Sequence, residues 1–342
     1  MNQPFAGPAA GSWQVKKAAE RIMKNVGRVI VGKEQTIELV LTALLCEGHV
    51  LVEDVPGVGK TLLAKAVARS LGLHFKRIQC TPDLLPSDVT GIHYFNQKTS
   101  AFEFRPGPIL AHVVLVDEIN RAMPRTQSSL LECMQEQQVT VDLETVPLPR
   151  PFMILATQNP IELEGTFPLP EAQLDRFLLR VRMGYPDERE EAAILTRFRQ
   201  ENPLDELTGV MEGGEILELQ RNCRRVYVED SVSRYITALT RATRHHDKIK
   251  LGASPRASLG LYSASQAHAA IHGRDYVTPD DVKTLATPVL AHRFIVKTDA
   301  RMKGQSQEDI VGEILSTVPV PMEGRPESLA AVDRRQKGNP QE

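Results

Sequence analysis

Glu53-Asp54-Val55-Pro56-Gly57-Val58-Gly59-Lys60-Thr61-Leu62 is the stretch on which the fold turns. Before it, His49 to Glu53 is a short apolar run of the kind a buried strand needs. After it, Thr61 to Leu71 reads as helical. A glycine-rich turn between strand and helix lets main-chain amides approach phosphate oxygens at the positive end of a helix. The spacing predicts a nucleoside triphosphate held along Pro56, Gly57, Val58, Gly59, Lys60, Thr61 and Leu62. Lys60 reaches the β- and γ-phosphates and the Thr61 hydroxyl ligates Mg²⁺. One position departs from the usual GxxxxGK[ST] pattern, since Asp54 stands where the first glycine belongs. That position is the less demanding one, because the phosphate-facing amides lie further along.

Outward from this loop the pattern is α/β. Ile37, Val40, Leu41, Leu44 and Leu45 fall at helical spacing, with Gly48 expected to end the helix. Phe75 to Gln79, His112 to Asp117, Phe152 to Ala156 and Leu178 to Met183 are further strand candidates. Strands alternating with helices imply a parallel sheet covered on both faces. Two segments, residues 92–106 and 137–150, break the alternation and read as hairpins set beside the sheet, either as plain edge structure or as substrate contacts of a ring protein. Beyond Pro186 helical patterns dominate and suggest a separate helical domain. Its helix starts are marked by Asp187 with Glu190, by Ser231, by Ser254-Pro255 and by Thr278-Pro279. The expected division is a flexible terminus over 1–13, a nucleotide-binding core over 14–185, a helical lid over 186–318 and a loose tail over 319–342.

Further residues fit phosphoryl transfer. The run Val113 to Val116 delivers Asp117 and Glu118 at a strand end, where the first carboxylate suits Mg²⁺ and the second can polarise an attacking water. An acidic pair after a strand is otherwise a common solvated turn. Asn159, at the end of another strand, could hold that water, although Asn before Pro160 is also a turn signal. Arg176 could neutralise γ-phosphate charge from a neighbouring subunit, or simply pair with Asp175 or Glu171. Arg256, in the first turn after Ser254-Pro255, is a second candidate phosphate reader.

Composition narrows the field. A formal net charge of -2 and 5% aromatic residues give no long-range pull toward nucleic acid and few stacking surfaces. Cys46, Cys80, Cys133 and Cys223 lack a CxxC spacing, and the nine histidines show no metal-ligand spacing. Asp88 to Gly91 matches a guanine-nucleotide DxxG without its NKxD partner, so chance explains it. No run approaches the ~18–20 apolar residues of a membrane span, and the N-terminus lacks a signal peptide's basic start and apolar run. The chain is expected to be cytoplasmic.

Together these residues resemble the AAA+ superfamily, and within it the MoxR branch of the helix-2-insert clade. The resemblance spans residues 14–318 and rests on EDVPGVGKTLLAKAVA (53–68), LVDEINRAMPRTQSSLLECMQEQQVTV (115–141), ATQNPIELEGTFPLPEAQLDRF (156–177) and SPRASLGL (254–261). It implies a P-loop sheet in the order 5-1-4-3-2, sandwiched by helices and followed by an all-helical lid, with ATP or ADP and Mg²⁺ between subunits of a ring, commonly a hexamer. Lys60 and Thr61 match Walker A, Asp117 and Glu118 Walker B, Asn159 sensor 1, Arg176 the arginine finger and Arg256 sensor 2. Val31 and Gly32 resemble the segment that packs on adenine. Similar proteins remodel or mature a protein client, often beside a von Willebrand factor A domain partner. A metal-chelatase-type motor, a DNA-loading motor and a nucleotide-gated scaffold with little turnover are the alternatives.

Overall fold

The computed structural model describes residues 10–142, 144–159, 165–199 and 202–321. In chain order the first half runs α1 (Ala10–Val26), α2 (Glu34–Leu45), β1 (Val50–Glu53), α3 (Lys60–Ser70), β2 (Phe75–Gln79), α4 (Pro86–Thr90), β3 (Gly91–Asn96), β4 (Ala101–Pro106), β5 (Val113–Asp117), α5 (Pro124–Glu136), β6 (Gln138–Val141), β7 (Glu144–Pro147), β8 (Met153–Gln158), α6 (Glu171–Leu174) and β9 (Leu179–Val181). Five strands form one parallel sheet in the order β2-β5-β8-β1-β9. Counting only those five along the chain, the order is the expected 5-1-4-3-2.

The strands are apolar runs because both faces of the sheet are covered. In β5, Val113 and Leu115 enter one core while Val114 and Val116 enter the other, and β8 divides Met153 and Leu155 from Ile154 and Ala156 in the same way. The register brings Glu53 beside Gln158 and Gln79 beside Asp117, so the polar residues that close the strands line up along one edge of the sheet. β3 pairs with β4 and β6 with β7 as separate antiparallel hairpins, at both places where the α/β alternation breaks.

The second half comprises α7 (Glu188–Arg197), α8 (Gly213–Cys223), α9 (Asp230–His245), β10 (Ile249–Leu251), α10 (Pro255–Ile271), α11 (Pro279–Leu290), β11 (Ile295–Val296), α12 (Thr298–Met302) and α13 (Gln307–Thr317). α10 is buried along most of its length. Its Ala, Ser and Gly residues let neighbouring helices approach closely, and one apolar core runs from Val15 and Ile22 of α1 through Leu261 and Ala264 of α10 to Val282 and Leu285 of α11. The helical half therefore shares its core with the sheet half instead of standing apart from it. No described helix is long and apolar enough to cross a membrane.

Several local expectations are corrected. α1 begins at Ala10, inside the stretch whose composition suggested a flexible terminus. Residues 1–9 and 322–342 lie outside the described residues, so the expectations for them rest on sequence alone. α2 ends at Leu45, and it is Glu47, not Gly48, that takes the left-handed backbone, with φ 55°. Gly48 serves a close approach, since a Cβ there would lie 2.4 Å from Leu178 Cδ2. α9 starts earlier than expected, with Glu229 as its N-cap in place of Ser231, which lies inside the helix. The starts at Asp187, Ser254 and Thr278 are as expected, each side chain accepting a hydrogen bond from an N–H of its own first turn. The short β10–β11 ribbon in the helical half was not anticipated.

Candidate nucleotide site

The loop from Asp54 to Gly59 leaves β1 and enters α3. Gly57 and Gly59 hold φ of 86° and 93°, a backbone region that side chains disfavour, and a Cβ at either would meet nothing within 4 Å. Glycine is needed here for its backbone, and the open space beside it is what a phosphate requires. Lys60 opens α3 and donates from Nζ to the carbonyls of Asp54 at 2.7 Å and Val55 at 3.1 Å, so its ammonium lies across the loop. Burial lowers the Lys60 pKa, and the negative charges of Asp54, Asp117 and Glu118 oppose that shift. Lys60 and the acidic strand end therefore share one electrostatic neighbourhood.

Asp54 has a part that sequence reasoning missed. Its carboxylate is buried and accepts three main-chain N–H groups, from Val55 at 2.8 Å, Met183 at 2.6 Å and Gly184 at 2.7 Å. It ties the start of the phosphate loop to the segment leading from β9 toward α7. A glycine could not make this tie.

At the end of β5, Asp117 accepts from the Thr157 hydroxyl at 2.6 Å and from Arg77 Nη2 at 2.6 Å. Glu118 adopts φ 56°, donates its N–H to Thr157 Oγ1 at 2.8 Å, and accepts from Gln79 Nε2 at 3.0 Å and Arg121 Nη1 at 3.2 Å. Thr157 thus orients both acidic residues from the adjacent strand. Arg77, Gln79, Arg121 and Thr157 went unread in the sequence; only strand register brings them here. Asn159 follows β8 and is buried, one residue beyond the Gln158 that pairs with Glu53. Pro160 to Glu164 lie outside the described residues.

Beside the loop is a cleft of about 270 Å³, walled by Val31, Gly57, Val58, Gly59, Leu62 and Phe198 among others. Apolar walls next to a phosphate loop suit the flat face of a base. Val31 lies on this cleft, whereas Gly32 and Pro56 do not wall it. Gly32 takes φ 67° and must be glycine because a Cβ would collide with the Glu190 side chain, which pairs with Lys33 at 3.2 Å.

Arg176 and Arg256 sit elsewhere. Arg176 precedes β9, and β9 runs parallel to β1, so it stands at the edge of the sheet opposite Lys60. Asp175, one of its two alternative structural partners, is bound to Arg293 at 2.9 Å and to the Ser254 hydroxyl at 2.8 Å, and Arg176 forms no ion pair among the described residues. Burial lowers the Arg293 pKa to about 10, with Asp175 opposing and Arg256 adding to the shift. Arg256 donates to Gln135 near the end of α5 at 3.1 Å. The structure thus gathers Lys60, Asp117, Glu118 and Asn159 at one edge of the sheet, and Arg176 with Arg256 at the other. All four cysteines are free thiols, and burial raises the pKa of each. In the DxxG match, Asp88 accepts the Leu85 N–H at the start of α4 and Gly91 begins β3, so the residues are structural.

Comparisons with known proteins show the family. Residues 49–179 match the model of the ATPase family associated with various cellular activities, and residues 241–314 match an AAA lid domain. Chaperone MoxR1 of Mycobacterium tuberculosis is 41% identical over 324 residues, 92% of this chain and 85% of that protein. Protein MoxR of Methylorubrum extorquens is 30% identical over 332 residues, covering 90% and 96%. The chain belongs to the MoxR family of AAA+ ATPases. Another relative of this MoxR-family chain, the uncharacterized protein YeaC of Bacillus subtilis, is 51% identical over 303 residues, covering 89% and 95%. A crystal structure from Cytophaga hutchinsonii, described as a candidate ATPase, superposes with a TM-score of 0.86 at 38% identity, covering 91% of this chain and 97% of that one.

Proposed function

We propose that this MoxR-family ATPase hydrolyses ATP to ADP and phosphate between the subunits of a ring, commonly a hexamer, and uses the cycle to remodel or mature a protein client. The observation that carries the chemistry is the shared neighbourhood of Lys60, Asp117 and Glu118 beside a loop opened by two left-handed glycines. The Thr61 hydroxyl and Asp117 carboxylate are hard oxygen donors of the kind Mg²⁺ takes, and the ion, when bound, would neutralise charge on the β- and γ-phosphates.

The protein's own residues do the rest. Loop amides and Lys60 grip the phosphates. Glu118, steadied by Gln79 and Arg121, orients the attacking water and receives its proton, with Asn159 holding the same water. Arg176, on the edge opposite its own Lys60, is presented to a neighbour's γ-phosphate. Arg256, on the same edge, is assigned to the neighbour's nucleotide too.

Support for a protein client comes from β3–β4. Phe95 and Phe102 are exposed and stack edge to face at 5.4 Å, giving the hairpin an apolar tip. His93 at its base faces Asp142 and Glu144 of the second hairpin, and Glu103 accepts from Tyr94, Asn96 and Thr99. An aromatic surface with no excess of positive charge suits a polypeptide better than a phosphate backbone. A von Willebrand factor A domain protein is the partner class proposed with it, in the cytoplasm.

Phosphate release by the wild-type chain in Mg²⁺ and in chelator, with Glu118→Gln and Lys60→Ala alongside, tests the chemistry. Glu118→Gln is expected to bind ATP while turning over at least ~100-fold more slowly, and Lys60→Ala to lose nucleotide affinity. Full turnover by Glu118→Gln would remove Glu118 from its role.

A further inference from the structure

Away from the nucleotide loop, three side chains from two helices converge. His268 on α10 and His272, the residue that caps it, stand four apart and so share one helix face. This spacing corrects the expectation that the nine histidines show none suited to a metal. Glu38 of α2 meets both, with its Oε1 3.3 Å from His268 Nε2 and 3.2 Å from His272 Nε2, and the two Nε2 atoms lie 3.3 Å apart. The three donors form a near-equilateral triangle. For bonds of about 2.0–2.1 Å, the edge of a tetrahedral coordination sphere is about 3.3 Å.

The shell behind the triangle is also built. His268 Nδ1 lies 2.6 Å from Asp281 Oδ1, the carboxylate–histidine arrangement that fixes an imidazole with its Nε2 facing a metal. Asp281 is itself fixed by both Arg274 Nη atoms, at 2.6 and 2.5 Å, and by the Thr278 N–H and hydroxyl, each at 2.8 Å. Side-chain exposure rises from 10% at His268 through 22% at Glu38 to 45% at His272, so one side of the triangle opens to solvent. Two imidazoles and one carboxylate suit a borderline ion such as Zn²⁺ and not Mg²⁺, which demands oxygen ligands in octahedral array.

We propose that Glu38, His268 and His272 bind a divalent ion of the zinc type, with water as fourth ligand and Asp281 orienting His268. Because Glu38 belongs to the helix ahead of β1 and both histidines to the helical half, the bound ion clamps the two halves together. The competing arrangement is a metal-free ion pair, with a protonated His268 between Glu38 and Asp281.

The test is Zn²⁺ added to chelator-treated, nucleotide-free full-length chain, followed by calorimetry and thermal melting. Co²⁺ serves as a spectroscopic stand-in and Mg²⁺ as a control. One equivalent of Zn²⁺ should bind and raise Tm, Co²⁺ should give the ligand-field bands of a tetrahedral site, and Mg²⁺ should do neither. His272→Ala alters a half-exposed residue and should still fold. It should weaken Zn²⁺ binding at least ~100-fold and abolish the Tm rise, as should Glu38→Gln. A wild-type chain that takes up no Zn²⁺, or variants that bind it as tightly as wild type, would overturn the site in favour of the ion pair.

Discussion

Asp54 occupies the position where a phosphate loop ordinarily begins with glycine, and its carboxylate gathers three main-chain N–H groups from two segments. Each of those donors is short of a partner once the carboxylate is gone, at a cost of about 1–3 kcal/mol per group that stays buried. Asp54→Ala is therefore expected to destabilise the chain by about 2–4 kcal/mol in urea unfolding. It should also weaken ATP binding, since the loop loses its anchor to Met183 and Gly184. A variant with unchanged stability and affinity would show that the tie anchors nothing. Nothing in the spacing of EDVPGVGK announced this role, because both distant donors belong to residues 183 and 184.

Among the elements, the entry to β1 depends on a neutral histidine. His49 Nδ1 accepts the Ile154 N–H of β8 at 3.0 Å, and Nε2 lies 3.1 Å from the Met134 carbonyl of α5, so one ring joins three elements. Burial, opposed by the Met134 bond, lowers its pKa from 6.5 to about 4. With the folded value depressed, its contribution is fully present above pH 6.5 and is lost as pH falls toward about 4, because the unfolded chain binds the proton first. Between pH 7 and pH 5 this one group should remove about 2 kcal/mol of stability. Urea midpoints at the two pH values check this, and His49→Gln should flatten the dependence. The helix starts at Ser254 and Thr278 could be read from local chemistry, since a cap and its N–H are neighbours in the chain. Gly48 was misread, because its need for a missing Cβ comes from Leu178, far along the sequence.

For the whole molecule, the division of residues between opposite edges of the sheet has a direct consequence. Within one chain the arginines beside the acidic pair, Arg77 and Arg121, are held by Asp117 and Glu118 themselves, and Arg176 and Arg256 face away. Mixing Lys60→Ala with Arg176→Ala should then restore phosphate release. On the proposed function, subunits with an intact Arg176 would complete the sites of subunits with an intact loop. Activity no greater than that of the two variants measured separately would contradict assembly of the site between chains. The apolar core joining α1, α10 and α11 bears on the same cycle, because motion of the helical half must be carried through packed surface and not through a free linker.

The sequence by itself determined the P-loop sheet, its strand order through family likeness, the helix starts at Asp187, Ser254 and Thr278, and the candidates proposed to handle phosphate. These features rest on spacing within a few residues, where strand and helix periodicities act directly. Tertiary structure alone decided that Asp54 is a tether, that Thr157, Arg77, Gln79 and Arg121 hold the acidic pair, that two arginines turn away from their own loop, and that Glu38 meets two histidines. Each of those contacts closes a long loop of chain, and one-dimensional spacing carries no record of which distant donors strand register and helix packing bring within hydrogen-bonding distance.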